Sequence, residues 1–158
     1  TQYSLAFALN AIAFIGAAQF TGPLGKRFGL VPLVKVAASA SGVVMLCMLA
    51  YYLLGGDQLL VLIGLYFIAS ALMGLVIPTT SVLALEEHGE IAGTASALLG
   101  TLQMLSGAIA MQIVGLFSTG KPLPMVVGMA TGALCGVLLT WITLGGERNA
   151  ERYADSLQ

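Results

Sequence analysis

The sequence predicts an all-α membrane protein, a polytopic helix bundle with five transmembrane helices. Five apolar runs are each long enough to cross a hydrocarbon core of about 30 Å as a helix. Only 8% of the residues are charged, against about a quarter in a soluble domain, and the mean hydropathy is +0.97. A third observation concerns how the helices associate. Residues 91–117 carry no charge, and at about 100° per residue they divide into two faces. Gly93, Ser96, Gly100, Gln103, Gly107, Ala110 and Val114 share one side, and Leu98, Leu102, Leu105, Ile109, Ile113 and Leu116 the other. Lipid tails are as apolar as leucine, so a membrane helix gains little by hiding leucines. Small residues admit close backbone approach, and a lone amide seeks a protein or water partner. Gly93, Ser96, Gly100 and Gly107 are therefore the expected helix-packing residues of this span.

Taken in order, the spans cover residues 3–20, 32–54, 59–81, 91–117 and 124–144, which together form a transmembrane bundle over residues 1–146. The first ends at Gly22-Pro23 and the second at Gly55-Gly56-Asp57. The acidic run 86–90, which holds the only histidine, His88, follows the third. The fourth gives way to Ser118-Thr119-Gly120-Lys121-Pro122 and the fifth to Gly145-Gly146. These are helix stops, tight connections and proline-started helices. Short connections make sequential helices antiparallel neighbours. A transmembrane barrel would need strands of about ten residues with polar side chains alternating inward, and none of the runs alternates.

Charge sets the orientation. Lys26, Arg27, Lys35, Arg148 and Arg152 fall on one side of the spans and Lys121 on the other. The positive-inside rule then puts the first group, and the C-terminus, in the cytoplasm. Lys35, just inside the second span, reaches the cytoplasmic interface by snorkelling; the alternative is a buried functional lysine. Residues 147–158 alternate acidic and basic side chains and read as a solvated cytoplasmic tail. A formal charge of −1 with only six Lys and Arg excludes a nucleic-acid partner, because neutralising phosphates takes clustered bases. Cys47 and Cys135 have no ligand-spaced companions, so no metal or cofactor is expected. An odd number of spans, with the first starting almost at residue 1, leads us to expect part of a larger membrane protein with further N-terminal helices; a short five-helix protein is the alternative.

Specific residues resemble a known family. Pro78, Ala84-Leu85, Gly93-Thr94-Ala95-Ser96-Ala97-Leu98-Leu99-Gly100, Gln103 and Gly107-Ala108 are similar to helices ten and eleven of the bicyclomycin-resistance (Bcr/CflA) group of drug exporters in the major facilitator superfamily. Residues 3–11 resemble the start of helix eight and residues 122–125 the start of helix twelve, so the likeness covers essentially the whole chain as helices eight to twelve of twelve. A second motif is similar to the superfamily pattern Gly-x-Leu-small-Asp-Arg-x-Gly: Gly22, Leu24, Arg27 and Gly29 match it, while Lys26 stands in the Asp place. That departure removes the carboxylate a charge relay would use. Physically, the segment reads as a cytoplasmic loop in which the glycines allow a tight turn and Arg27 meets helix carbonyls or lipid phosphate. The resemblance implies a non-enzymatic, multi-pass transporter of the bacterial inner (plasma) membrane. Its partners would be a small drug-like or metabolite substrate, the lipid bilayer and the rest of the same protein, with export by proton antiport.

Four residues are substrate-contact candidates. Asn10 is the central polar group of the face Tyr3, Ala6, Asn10, Ala13 and Ala17. An unpaired amide in hydrocarbon costs several kcal/mol, so Asn10 bonds either another helix or substrate, and Gln103 is open to the same two roles. Tyr66 and Ser70 belong to the stripe Ile63, Tyr66, Ser70, Met73 and Ile77. Aromatic and thioether groups suit a pocket for varied apolar molecules, and the same stripe would also serve simple packing. Family geometry places the first, third and fourth spans along the cavity. The second and fifth correspond to peripheral helices, with Ser39, Ser41 and Gly42 making helix contacts.

No Asp, Glu or His lies deep in any span. Proton coupling needs such a group near the membrane middle, so in a proton-coupled exporter it sits outside this chain. Two other functions compete. A non-transporting membrane scaffold or assembly subunit would use only the small-residue faces. An intramembrane serine protease built on Ser39-Ala40-Ser41-Gly42 is disfavoured, because the only histidine lies in the acidic connection and no base reaches the serine.

Overall fold

A computed structural model describes residues 2–56, 58–86, 91–117 and 123–155. Six helices follow one another: α1 (Gln2–Gln19), α2 (Thr21–Phe28), α3 (Leu30–Leu53), α4 (Leu59–Glu86), α5 (Ala92–Leu116) and α6 (Leu123–Asp155). Among the described residues four helices are long and apolar enough to cross a membrane, and a fifth is counted when Phe7–Gln19 of α1 and α2, which meet at a bend of 41°, are taken together as one broken span. Lys121, His88 and the rest of the connections at 87–90 and 118–122 lie outside the described residues, as do Asp57 and the last three residues of the tail. The remainder of the tail, through Asp155, continues α6.

Of the motif expected as a loop at Gly22, Leu24, Arg27 and Gly29, the first three positions lie instead in a helix, α2, and Gly29 caps it. Pro23 stands in its first turn, where a missing N–H breaks no intrahelical bond. The turn itself is confined to Gly29, whose φ of +85° suits glycine alone and whose N–H donates to the Gly25 carbonyl at 2.9 Å. Lys26 and Arg27 occupy the last turn of α2, where positive charge meets the negative end of the helix dipole. The Arg27 guanidinium lies over the Phe28 ring at 5.3 Å.

The bundle is built around α3 and α4. Along α3, Val34, Ala37, Ala38, Ser41, Met45 and Met48 recur at three- and four-residue spacing and are all buried. That stripe packs against α4 on one side and α6 on the other. Met45 and Met48 join Ala69 of α4 and Val126 and Ala133 of α6 in one core. Gly42 brings α3 close to α6: a Cβ there would meet Val137 Cγ2 at 2.8 Å. Helix α4 also packs along α1, so tightly that a Cβ on Gly74 would strike the carbonyl oxygen of Phe14. Pro78 sits inside α4 and cannot donate to the carbonyl one turn back. In the turn around it, Thr79 Oγ1 donates to the Leu75 carbonyl at 2.6 Å and Ser81 Oγ to the Ile77 carbonyl at 2.9 Å.

Helix α5 stands apart. It has no buried residue, and it meets α6 at Gly128, where an added Cβ would lie 2.6 Å from Val114 Cγ2. Elsewhere the exposed side chains are mostly large and apolar, including Val36, Phe67, Leu138 and Ile142, as expected where hydrocarbon is the solvent. Cys47 and Cys135 also point out of the bundle as free thiols.

Candidate functional site

Two cavities flank the middle of α4. The first, of about 620 Å³, is an open cleft between α1, α3, α4 and α6; Phe14, Met45, Tyr66, Ser70, Met73 and Met129 contribute to its wall. The second, of about 550 Å³, lies between α4, α5 and α6 and is lined by Tyr66, Met111, Val114, Met125 and Met129 among others. Tyr66 and Met129 belong to both walls. The stripe expected on the third span thus brings Tyr66, Ser70 and Met73 together on one cavity. Three methionines around an aromatic ring make a surface that re-forms around apolar molecules of different shape.

The two polar candidates in this region meet each other. Ser70 Oγ donates to Asn10 Oδ1 at 3.2 Å across the α1–α4 interface, with both residues half-buried. The pair lies one helical turn from the close contact of Gly74 with Phe14, so the tight backbone approach and the hydrogen bond belong to the same seam. Pairing keeps the amide from standing unsatisfied in hydrocarbon while leaving Ser70 on the cavity wall. The link should register in a double-mutant cycle of Asn10→Ala and Ser70→Ala, read by reversible unfolding in mixed micelles. The expected coupling is about 0.6 kcal/mol, the usual size for interhelical hydrogen bonds in membranes, and additive losses would show that the pair does not hold the helices together.

Gln103 is placed elsewhere, exposed on α5 and away from both cavities. Gly93, Gly100 and Gly107 share that exposure, with nothing within 4 Å of a Cβ at any of them, and Ser96 Oγ donates to the Gly93 carbonyl of its own helix. Only the far end of that face, Ala110 and Val114, turns toward α4 and α6. Of the serines of the second span, Ser39 Oγ accepts from Trp141 Nε1 of α6 at 3.2 Å, while Ser41, buried, donates to the Ala38 carbonyl of its own helix.

Sequence reasoning missed the contributions of α3 and α6 to the cavity. Met45 and Met129 come from helices read as peripheral, and Gly132 and Gly136 open the wall on the α6 side. The available signal was the repeat Gly128, Gly132, Gly136 at four-residue spacing, a small-residue stripe of the kind that lines helix contacts. Here only at Gly128 would an added Cβ meet another helix; at the other two it would meet nothing within 4 Å.

The chain is 31% identical over 136 residues to the uncharacterized MFS-type transporter YdgK of Bacillus subtilis (strain 168). The likeness supports membership in the major facilitator superfamily. The matched region takes in 86% of this chain, which spans about a third of that relative's length. No family model and no solved structure matches the chain. The bundle has helices long and apolar enough to cross a bilayer and a cleft of ligand size between them.

Proposed function

We propose that this chain forms helices eight to twelve of a twelve-helix exporter of the bicyclomycin-resistance (Bcr/CflA) group, moving drug-like molecules or small metabolites across the bacterial inner membrane by proton antiport. The cavity walled by Tyr66, Ser70 and the three methionines carries the reading, and the likeness to an MFS-type transporter supports it. Tyr66 and Ser70 contact substrate from this half, with Asn10 orienting the Ser70 hydroxyl. Gln103 and the small residues of α5 face the N-terminal helices of the same protein. Two such bundles rocking about a central site would give alternating access. The proton-carrying group belongs to the other part, since the spans here hold no carboxylate or histidine.

Orientation follows from charge. Lys35 Nζ donates to the Leu144 carbonyl at 2.8 Å, which brings the start of α3 beside the end of the apolar part of α6. Lys26, Arg27 and Lys35 therefore share one end of the bundle with the basic residues of the tail, and that end is cytoplasmic.

The test is transport in proteoliposomes under an imposed pH gradient. The intact protein should export a lipophilic dye, and this chain by itself should not. Gly132→Leu should lower transport roughly tenfold, because a leucine there fills the cavity while its Cβ meets nothing within 4 Å. Undiminished efflux in that variant would remove the cavity from the substrate path, and gradient-driven efflux by this chain alone would misplace the coupling chemistry.

A further inference from the structure

From the groove between α3 and α6 at the Lys35 end, we infer that the protein holds the phosphate of an anionic phospholipid there. The groove has a volume of about 470 Å³ and is lined by Val31, Pro32, Lys35, Val36, Ser39 and Trp141. Its apolar walls and outward-facing Val36 and Trp141 offer a bed for an acyl chain. Its polar atoms gather around one ammonium.

That ammonium is held in place. Lys35 Nζ donates to the Leu144 carbonyl at 2.8 Å and lies 5.7 Å from the centroid of the Trp141 ring. The ring is fixed in turn by its Nε1–H, which donates to Ser39 Oγ at 3.2 Å. An ammonium has three donors, so two remain for a ligand, and a serine oxygen that accepts one bond still carries a proton to give. No described carboxylate pairs with Lys35, although its side chain is half-buried. A positive charge at the edge of hydrocarbon is stabilised further by an anionic partner, and Lys26 and Arg27, exposed at the same end of the bundle, add to the positive field. Lysine and tryptophan together mark the depth of the lipid headgroups. An occupant that must be apolar along its length and anionic at this level is a phospholipid, and basic pockets between transmembrane helices select such headgroups.

Trp141 is the single tryptophan of the chain, so its fluorescence reports on this groove directly. The chain is reconstituted in bilayers where either phosphatidylglycerol or phosphatidylcholine, at equal mole fraction, carries dibrominated acyl chains that quench on contact. Phosphatidylglycerol should win the place beside Trp141 by about fivefold, the worth of one interfacial basic side chain. Lys35→Arg should keep the preference and Lys35→Gln should abolish it. Adding inorganic phosphate to the buffer should leave it in place. Equal quenching by the two lipids in the unmodified chain, or an unchanged preference in Lys35→Gln, overturns the site. A preference erased by inorganic phosphate would assign the groove to the free anion and overturn the lipid.

Discussion

Gly74→Leu should abolish most of the monodisperse protein recovered after detergent extraction, whereas Gly64→Leu, on the same helix, should leave the yield near that of the parent. The difference lies in what each new Cβ meets. At Gly64 there is nothing within 4 Å, but at Gly74 the Phe14 carbonyl oxygen already occupies the space. A side chain could rotate away; a backbone carbonyl can move only with its helix. Helix α1 would have to withdraw from α4, and the Ser70–Asn10 bond one turn away would open with it. Overpacking of a tight site costs about 1–3 kcal/mol, and the loss of the interhelical bond adds to that. Even Gly74→Ala should lower the thermal midpoint, despite the better helix propensity of alanine. Equal yields for the position 64 and position 74 leucine variants would mean that α1 and α4 are not in close backbone contact.

Gly100→Leu should have opposite consequences in two settings. In this chain alone a Cβ at position 100 meets nothing within 4 Å, so the variant should be recovered and should unfold like the parent. In the intact transporter proposed above, the same face of α5 packs on helices of the other part. A leucine would then hold the two apart, with a loss of folding or transport of the same order as at Gly74. Leu102→Ala, on the other face, should do little in either setting, since lipid replaces the missing methyl contacts. Fluorescence-detected size exclusion of both forms, with dye efflux for the intact protein, separates these results. If Gly100→Leu is harmless in the intact protein, the small-residue face of α5 has no helix against it.

The long apolar helices α3 to α6 were legible because a membrane helix satisfies its own backbone hydrogen bonds and its length is dictated by the bilayer. Runs of apolar residues therefore mark helices without reference to anything they touch, and α3 to α6 fall where hydropathy puts them. The segment around Gly22 and Pro23 shows where that reading ends. Punctuating residues suggest a turn, but a proline in a first helical turn is equally compatible with a helix, and the chain winds through residues 21–28 as α2.

Side-chain partnerships were legible only as needs. The sequence required that Asn10 find a hydrogen bond, and Tyr66, Ser70 and Met73 shared a stripe by periodicity alone. That Asn10 meets Ser70, that the stripe borders a cleft with Met45 and Met129, and that Lys35 reaches a carbonyl 109 residues away were decided by the tertiary arrangement. In lipid, a greasy residue is equally content against a tail or against another helix, so hydropathy does not report which face is buried. Packing decides it instead, through the fit of small residues against particular backbones. Thus α3 is buried along the side that carries Ala37, Ala38, Ser41 and Gly42, while α5, equally rich in small residues, has no buried residue in this chain.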